Sequence, residues 1–447
     1  METNIAFVSE MAQTELKASK ERIKIIDVLR GFALLGIIIV HTVEQYYAGD
    51  NSIFAKNTDL DQGIMIFLGV FVMGKFFPIF SFLFGLSFAI QLGNAAEKKQ
   101  PYIGRFLWRL AVLMFIGFVH QLFYRGDILM IYAFLGLGLV AVHRLPNKLQ
   151  LIIALALVFN IIGFTERGYE AVKSLFVEAP KQEQQAPKEE NKTENEAKNQ
   201  DKKEEAKPQK EEQPSPEFEK YQKENKVYFD MVKGGNWFAI AEQHALRELQ
   251  SKMDFQIGSG RLWLTLGLFI LGLYVGRIKI FENTSVLLAF SKKVLKISGY
   301  YVLIALIIIG VIMGIYAGNP PNSPWLWWLG GTLFDWGNVA LPFFYIAGII
   351  LLFQKAKWEK VLLWLYPLGR MGLTTYLIQT LIGTFIFFGY GLNQLGELNN
   401  AQTLVLALVI FTGQIVFSKW WLSKFQFGFL EWFWRSATYL KWQPFKK

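Results

Sequence analysis

Two ionisable residues, Arg30 and His41, stand at the ends of an apolar stretch near the start of the chain, "RGFALLGIIIVH". Ionisable groups inside a hydrophobic segment are costly, and they usually mark a reaction site or an ion pathway. A guanidinium holds anions such as phosphates through charge-assisted hydrogen bonds, and a neutral imidazole takes up a proton near neutral pH. The two residue types therefore indicate an anion holder and a general base on one segment.

A helix over this stretch brings both side chains to one face. Steps of ~100° nearly complete whole turns between Arg30 and His41, and they separate the two residues by about 16 Å along the axis. Asp27 precedes Arg30 by one turn. Glu44 follows His41 by one turn, and we predict that it contacts a substrate. The alternative is that Arg30 reaches the lipid headgroups and His41 hydrogen-bonds a neighbouring helix.

A second group of ionisable residues surrounds the turn "YRGD". His120 ends one predicted span and Asp127 begins the next. Asp127 either caps the following helix or orients a histidine, His120 or His41, as a catalytic base requires. Arg109 lies inside the span before the turn and needs a partner or a solvated anion. Lys75, beside a proline, is a further candidate for anion binding, unless it only extends toward the headgroups.

Hydroxyl and amide side chains are concentrated in one late span, "GRMGLTTYLIQTLIGTFIFFGYGL". Such groups commonly hold neighbouring membrane helices together by hydrogen bonds. The other interpretation is that they hydrogen-bond a polar acceptor or an acyl donor. Under that interpretation, Tyr376 and Gln379 are the predicted substrate ligands.

The elements that must position these residues are membrane-spanning helices. Of the 447 residues, 53% are hydrophobic and 16% aromatic, and apolar runs long enough to cross a bilayer recur along the chain. We predict an all-α fold, a polytopic membrane protein of about ten transmembrane helices with a disordered, charged extracytoplasmic insert. The predicted spans lie near 25–47, 64–92, 104–123, 127–143, 149–164, 261–278, 295–317, 338–354, 371–391 and 402–421. The second is too long for one straight crossing, and Pro78 in its middle predicts an interfacial or re-entrant first half.

Lysine and arginine are concentrated in alternate short loops and in both terminal segments. Because such loops stay in the cytoplasm, we expect both termini to be cytoplasmic. The insert between the fifth and sixth spans then faces outward, and its Lys- and Glu-rich middle is too polar to fold alone. The predicted parts are a cytoplasmic N-terminal tail (1–23), spans one to five (24–164), the extracytoplasmic insert (165–260), spans six to ten (261–421) and a cytoplasmic interfacial C-terminal segment (422–447).

Composition also excludes several function classes. The net charge of +10 lies in membrane-flanking loops, so it predicts a lipid bilayer as partner and no nucleic acid. The chain has no cysteine, which excludes disulfides, thiolate catalysis and cysteine-based zinc sites. It carries no glycine-rich phosphate loop and no HExxH motif, and its four histidines are scattered. We therefore predict neither ATP hydrolysis by a phosphate loop nor a metal site.

Six ordered motifs resemble the YeiB-like family of bacterial membrane proteins, whose C-terminal half is called domain of unknown function 418. They are "RIKIIDVLRGFALLGIIIVH", "GKFFPIFSFLFGLSFAIQ", "GDILMIYAFLGL", "GRMGLTTYLIQT", "FFGYGL" and "FGFLEWFWRSATYLKW". The resemblance covers nearly the whole chain outside the charged insert. Phe429 is one departure, since the family usually has proline there.

The first span is also similar to that of the wider transmembrane acyltransferase superfamily, which includes bacterial O-acyltransferases and heparan-glucosaminide N-acetyltransferase. Those proteins carry arginine, ten residues and then histidine, a spacing that Arg30 and His41 share. The resemblance implies that His41 activates the acceptor hydroxyl or carries the acyl group. It also implies that Arg30 holds the phosphates of a cytoplasmic acyl-CoA, with a gap of pantetheine length between the two residues.

We accordingly expect a bacterial inner-membrane acyltransferase that moves an acyl group from acyl-CoA to an envelope glycan, lipid or small molecule. The expected site comprises the catalytic residues His41, Asp127 and His120, the donor-binding residues Arg30, Arg109 and Lys75, and the substrate-binding residues Glu44, Tyr376 and Gln379. The main alternative is a transporter, for which membrane-buried charge is equally natural. A non-catalytic assembly or signalling protein that uses the insert as a tether is the third possibility.

Overall fold

The computed structural model describes residues 24–48, 58–176, 216–316, 318 and 321–447. Within these ranges the regular elements are helices, which confirms the predicted all-α fold. The charged middle of the insert, on which the prediction of disorder falls, lies outside the described residues. The described flanks of the insert, 165–176 and 216–260, are largely helical.

The described helices, numbered in chain order, are α1 (Lys24–Val43), α2 (Asp59–Phe71), α3 (Phe77–Glu97), α4 (Ile103–Phe123), α5 (Leu129–Val142), α6 (Asn147–Val158), α7 (Ile161–Lys173), α8 (Pro216–Gly234), α9 (Trp237–Leu246), α10 (Glu248–Gly258), α11 (Arg261–Arg277), α12 (Thr284–Ile315), α13 (Pro324–Phe353), α14 (Ala356–Leu362), α15 (Tyr366–Arg370), α16 (Gly372–Phe387), α17 (Asn400–Lys424) and α18 (Phe429–Tyr439).

Several of these helices are membrane spans by length and composition. Among the described residues six qualify alone, namely α1, α3, α4, α12, α13 and α17. The pairs α6–α7 and α10–α11 qualify together and bend by 48° and 69°, which brings the number to as many as eight. The shorter apolar helices α5 and α16 coincide with the two remaining predicted spans. The chain is therefore a polytopic membrane protein, and ten is an approximate number of spans.

The long second span is divided into α2 and α3. Gly74 lies in the connection with a φ of +76°, a backbone conformation that favours glycine. Pro78 occupies the first turn of α3, where its missing N–H removes no helical hydrogen bond. The sequence therefore predicted the interruption, and the proline begins the second helix rather than breaking a continuous one.

Helix α11 lies at the centre of one part of the bundle and packs against α3 and α6. Glycines allow the α3–α11 backbones to approach closely. A Cβ atom at Gly85 would lie 1.9 Å from the Phe269 carbonyl oxygen, and one at Gly272 would lie 2.1 Å from that of Phe82. Small residues at such positions are the usual means of tight helix packing in membranes.

Helix α1 is held between the N-terminal and C-terminal parts of the chain. A Cβ atom at Gly31 would lie 2.2 Å from the Leu365 carbonyl oxygen, just before α15. A Cβ atom at Gly369 would lie 1.7 Å from the carbonyl oxygen of Asp27. Backbone contact at two successive turns fixes α1 against α15.

Helices α8 and α9, here called the cover helices, follow the charged part of the insert. Tyr228, Val232 and Ile240 are buried in one cluster with Tyr47, which follows α1. The Tyr47 hydroxyl donates to the carbonyl oxygen of Asn225 at 2.6 Å. The cover helices therefore pack onto the end of α1 that carries His41.

Candidate functional site

Helix α1 runs without interruption from Lys24 to Val43, so Arg30 and His41 lie near its opposite ends. These two regions are called the Arg30 end and the His41 end below. Between them, Leu34 is fully buried in a cluster with Leu368 and Phe411. The interval between the two ends is therefore filled with packed aliphatic and aromatic side chains.

At the Arg30 end, the guanidinium is shared between a carboxylate and a hydroxyl. Arg30 Nη1 lies 2.8 Å from Asp27 Oδ1, and Nη2 donates to Ser87 Oγ at 2.6 Å. The Asp27 side chain is almost buried, whereas 31% of the Arg30 side chain remains exposed. Arg30 is thus oriented by its neighbours and still accessible to a further anion.

Arg109, on α4, lies near Arg30, and the two guanidinium groups contact the same face of α3. Its Nη1 donates to Gln91 Oε1 at 3.2 Å, and Gln91 lies one turn after Ser87. The Arg109 guanidinium also lies 3.9 Å from the centre of the Trp434 ring, and the Trp434 indole donates to the Arg109 carbonyl oxygen. Helix α18 therefore holds the second predicted donor-binding arginine in place.

Three further arginines collect at this end. Arg105 and Arg435 lie 5.0 and 5.3 Å from the ring centre of Tyr439, and Arg370 donates to the Gln426 carbonyl oxygen at 2.8 Å. Among the five arginines, only Arg30 forms an ion pair with a described carboxylate. The Arg30 end therefore carries more positive than negative charge.

Glu431, the other carboxylate in this region, hydrogen-bonds the N-terminus of a helix, α16. It accepts the backbone N–H groups of Leu373 and Thr374 and the Thr374 hydroxyl. Burial raises the pKa of the Glu431 carboxyl, and the hydrogen bonds from Thr374 oppose this effect. Its oxygens satisfy the first turn of α16 and leave the arginines uncompensated.

At the His41 end, His120 is fixed through both ring nitrogens. Nδ1 lies 2.7 Å from Asp127 Oδ1, and Nε2 lies 2.8 Å from Thr380 Oγ1. Because a carboxylate only accepts, Nδ1 of a neutral ring donates to Asp127 and Nε2 accepts from Thr380. Asp127 also accepts the N–H groups of Leu129 and Met130 at the start of α5. Both predicted interpretations of Asp127, helix cap and histidine partner, therefore describe its contacts.

His41 has a different environment, formed by tyrosine rings. Its ring centre lies 5.0 Å from that of Tyr124, 5.5 Å from that of Tyr46 and 6.1 Å from that of Tyr376. His41 Nδ1 is buried and has no hydrogen-bond partner among the described residues. The imidazole is positioned by ring packing, and no carboxylate of the described residues pairs with it.

Several other buried polar atoms at this end also lack a hydrogen bond of normal length and geometry within the described part of the chain. They are Thr42 Oγ1, Tyr46 OH, Tyr376 OH and Gln379 Oε1. Each such atom typically costs about 1–3 kcal/mol of stability. The rings of Tyr46 and Tyr376 contact His41, and unsatisfied polar atoms beside an imidazole are the arrangement expected where a polar substrate binds.

Glu44 and Gln379 differ in their surroundings. The Glu44 side chain is partly exposed just beyond the end of α1 and lies close enough to Arg261 to interact electrostatically. The Gln379 amide nitrogen donates to Gln414 Oε1 at 2.9 Å, which joins α16 to α17. Gln379 therefore serves helix packing through one end of its amide, while its oxygen has no partner.

Lys75 is the predicted donor-binding residue that the structure does not bring to the Arg30 end. It lies in the connection before α3, whereas Ser87, the partner of Arg30, lies ten residues into that helix, about 15 Å further along its axis. Lys75 Nζ instead donates to Asn338 Oδ1 at 2.7 Å and to the Met73 carbonyl oxygen at 2.9 Å. The nine candidate residues therefore do not form one site: Arg30 and Arg109 lie at the Arg30 end, Lys75 lies against the middle of α13, and the other six lie at the His41 end.

Sequence reasoning missed the tyrosines that enclose His41 and the arginines that join Arg30. Tyr46 follows Glu44 closely, and Tyr124 opens the "YRGD" turn, so proximity to the predicted residues was an available signal. Arg370 and Arg435 lie in motifs of the C-terminal half, more than three hundred residues after Arg30. Only the tertiary fold brings them to α1.

Two family matches divide the chain. Residues 22–173 match the family described as heparan-alpha-glucosaminide N-acetyltransferase, catalytic. Residues 275–441 match the family described as protein of unknown function, DUF418. The first match contains Arg30, His41, His120 and Asp127, and the second contains Tyr376.

Relatives align over nearly their full length. The chain is 27% identical to uncharacterized protein YxaH of Bacillus subtilis, with 98% of this chain and 99% of the relative covered. It is 25% identical to an uncharacterized 39.9 kDa protein from the amylase 3' region of Bacillus acidopullulyticus, with 94% and 95% covered. Uncharacterized protein YeiB of Escherichia coli is 23% identical, with 94% and 96% covered.

No solved structure matches the chain. The two family matches and the full-length relatives agree with the motifs quoted above. The chain therefore resembles the YeiB-like membrane proteins over nearly its full length, carries a DUF418 match in its C-terminal part, and is distantly similar to the transmembrane acyltransferases in its N-terminal part.

Proposed function

We propose that this protein is an integral-membrane acyltransferase. It takes an acyl group from acyl-CoA at the Arg30 end and transfers it to an envelope glycan, lipid or small molecule at the His41 end. In this proposal the Arg30 end faces the cytoplasm of a bacterial cell, and both chain termini lie on that side. The match of residues 22–173 to an acetyltransferase catalytic family supports the reaction class.

One observation carries the proposal. A single helix joins a surplus of arginines to an imidazole with an unpartnered nitrogen, and about 16 Å separates the two groups. The nucleotide part of acyl-CoA carries phosphates, which the arginines suit, and its acyl group lies at the end of a long pantetheine arm. Donor recognition and chemistry can therefore occur at opposite ends of one element.

His41 is the proposed base. Its ring takes the proton of an acceptor hydroxyl or amine, the acceptor atom attacks the thioester carbonyl, and the thiol of CoA leaves with the proton. Tyr376, whose ring lies 6.1 Å from that of His41, has a hydroxyl free to donate to the oxyanion that forms. His120 is a positioning residue here, because Asp127 and Thr380 occupy both of its ring nitrogens. The resemblance also allows that His41 itself carries the acyl group.

The interval between the two ends must open for the acyl arm. Leu34 and Ile38 on α1 are fully buried there, among apolar neighbours. Rotation of side chains or a small movement of α1 would be needed before an acyl group passes from one end to the other. The proposal therefore requires that donor binding opens a path through the packed side chains between the Arg30 end and the His41 end.

A transporter is the second candidate, and the bent pairs α6–α7 and α10–α11 favour it. Discontinuous helices commonly form the substrate sites of transporters. Affinity for acyl-CoA separates the two functions, since a transporter of another solute has no reason to bind it.

The test measures acyl-CoA binding by isothermal titration calorimetry on purified protein in lipid nanodiscs. Wild type should bind a short-chain or a long-chain acyl-CoA. Arg30→Ala should weaken binding by about tenfold or more, and Arg30→Lys should restore only part, because a point charge replaces a planar fork. His41→Ala should bind as wild type does and should lose transfer of a radiolabelled acyl group to envelope fractions, by roughly a hundredfold or more.

The matched control is Lys419→Gln, which removes a cation outside the arginine group and should change neither readout. No affinity of wild type for any acyl-CoA would refute the acyltransferase. Transport would then be the better account of the same residues.

A further inference from the structure

Three membrane segments are interrupted beside the middle of α13. The interruptions are residues 72–76 between α2 and α3, 159–160 between α6 and α7, and 259–260 between α10 and α11. Each contains a residue with positive φ, namely Gly74, Asn160 and Gly260. Interrupted helices inside a membrane leave backbone groups unpaired, so they occur where protein or a bound polar group satisfies them.

The three interruptions converge on residues 335–338 of α13. Lys75 Nζ donates to Asn338 Oδ1 at 2.7 Å, and Asn160 Nδ2 donates to Asp335 Oδ2 at 2.8 Å. A Cβ atom at Gly260 would lie 3.2 Å from Asn160 Nδ2. The interruptions therefore form one polar region inside the bundle.

Lys75 is the buried cation of this region, with 3% of its surface exposed. Both of its hydrogen-bond acceptors, the Met73 carbonyl oxygen and the Asn338 amide oxygen, are neutral. By contrast, the nearby Arg167 is paired with Asp335 at 2.8 Å. A buried ammonium without a carboxylate partner among the described residues is costly unless an anion joins it.

Arg261, at the start of α11, is the second cation. Its guanidinium forms neither a hydrogen bond nor an ion pair with a described residue, and it lies 5.6 Å from the ring centre of Phe77 and 4.9 Å from that of Phe255. It interacts electrostatically with Lys75, so two like charges face one region. The first turns of α3 and α11, which are the positive ends of their dipoles, add to this potential.

This region adjoins the His41 end. Arg261 lies within electrostatic range of Glu44 and Tyr124, and the Tyr124 ring centre lies 5.0 Å from that of His41. Glu44 forms no contact ion pair with Arg261 among the described residues, so the Arg261 guanidinium is not neutralised by a direct contact. A molecule that reaches from Arg261 to His41 would pass Glu44.

We propose that Lys75 and Arg261 bind an anionic group of the acceptor, a phosphate or a carboxylate. The acceptor is then an acidic molecule whose hydroxyl or amine reaches His41 while its anion is held at the interrupted helices. This inference rests on the proposed acyltransferase function and specifies the class of its acceptor. It also gives Lys75 a site apart from the donor phosphates.

The experiment titrates purified protein, in nanodiscs of neutral phosphatidylcholine, with glycerol 3-phosphate, with glycerate and with glycerol. Wild type should bind at least one of the two anions and should not bind glycerol, and the anion that binds identifies the group. Arg261→Gln should weaken this binding at least tenfold, and Lys75→Met should do the same. Arg261→Lys should retain part of the affinity because it keeps the charge.

Lys233→Gln is the matched control, because Lys233 is a cation of the cover helices that pairs with Glu397 and lies outside the region. It should bind the anion as wild type does. The Arg261 guanidinium forms no hydrogen bond or ion pair with a described residue, so Arg261→Gln is expected to fold and still tests the site if Lys75→Met does not fold. Absence of binding to both anions, or equal affinity in Arg261→Gln and wild type, would overturn the inference.

These titrations contain no acyl-CoA, so they are independent of the donor. Anion binding without acyl-CoA affinity would leave the site in place and refute the acyltransferase. Acyl-CoA affinity without anion binding would keep the acyltransferase and refute the acidic acceptor.

Discussion

At the Arg30 end of α1 the polar groups are partly exposed and engaged, since Arg30 contacts both Asp27 and Ser87. At the His41 end they are buried, and His41 Nδ1 and Tyr376 OH have no partner among the described residues. Charge near water can attract and release a phosphate-bearing donor at little cost to the fold. Buried polar atoms are costly, and proteins keep them where they act on a substrate. This difference agrees with the proposed division of roles, in which the Arg30 end recognises the donor and the His41 end carries out the chemistry.

The largest expected effect compares the carboxylates of the two ends. Asp127→Ala should lower the free energy of unfolding by about 3–5 kcal/mol, because it leaves buried His120 and the start of α5 without their acceptor. Asp27→Ala should cost only about 1 kcal/mol, because Arg30 is partly exposed and keeps Ser87. Chemical denaturation in mixed micelles measures both values. Equal costs would show that the two ends are not different in kind.

A smaller effect on stability is expected when the hydroxyl of a buried tyrosine is removed, and its sign depends on whether that hydroxyl has a hydrogen-bond partner. Tyr376→Phe removes a buried hydroxyl without a partner, so the free energy of unfolding should not fall and should rise by up to about 1–3 kcal/mol. Acyl transfer should nevertheless fall by about tenfold or more, if the hydroxyl acts on the substrate. Thermal unfolding and the radiolabel assay give the two readouts.

Tyr132→Phe is the control for that change. The Tyr132 hydroxyl contacts Ser81 Oγ at 2.7 Å and the Phe77 carbonyl oxygen at 3.0 Å. Its loss should cost about 1 kcal/mol and leave transfer unchanged. A stability loss in Tyr376→Phe with normal transfer would assign that phenol to packing.

The smallest expected effect concerns the cover helices and pH. Burial lowers the pKa of His244 from 6.5 to about 4, and the charge of Arg125 adds to this effect. The folded state therefore holds a neutral imidazole, which accepts the Tyr228 hydroxyl at 2.8 Å. The neutral His244 ring contributes its full stabilisation of the folded state at pH values well above 6.5. This contribution declines as the pH falls from 6.5 toward 4, because the unfolded chain takes up a proton more readily. The loss should be about 0.8 kcal/mol at pH 6.

Hydrogen exchange of α8 and α9 at pH 7.5 and pH 6, corrected for intrinsic rates, measures this loss. His244→Gln should remove the pH dependence. An unchanged pH dependence in that variant would mean that another group titrates in the cover.

Much of the fold was predictable because membrane spans depend on local composition. The first helix and the interruption near Pro78 followed from hydrophobic length and from proline chemistry. The contact between His120 and Asp127 was within reach, since a short turn joins their helices. Each of these three features depends on residues that lie close together in the sequence.

The division of the predicted donor site was not predictable. Lys75 and Arg30 belong to neighbouring segments. The interruption before α3 nevertheless brings the Lys75 side chain into contact with Asn338 of α13, away from Arg30. Arg370 and Arg435 approach Arg30 only because α15 and α18 fold back onto the first helices. Periodicity reports which face of a helix is apolar, but not which distant helix that face meets.

The backbone contacts of α1 with α15 also bear on how such a chain can evolve. Gly31 and Gly369 lie in regions that match two different families, and at each a methyl group would collide with a carbonyl oxygen of the other region. A substitution in one region is therefore felt directly in the other, at the helix that carries the arginine and the histidine. The two regions can change only together, so neither can be exchanged for a homologue without adjusting its counterpart.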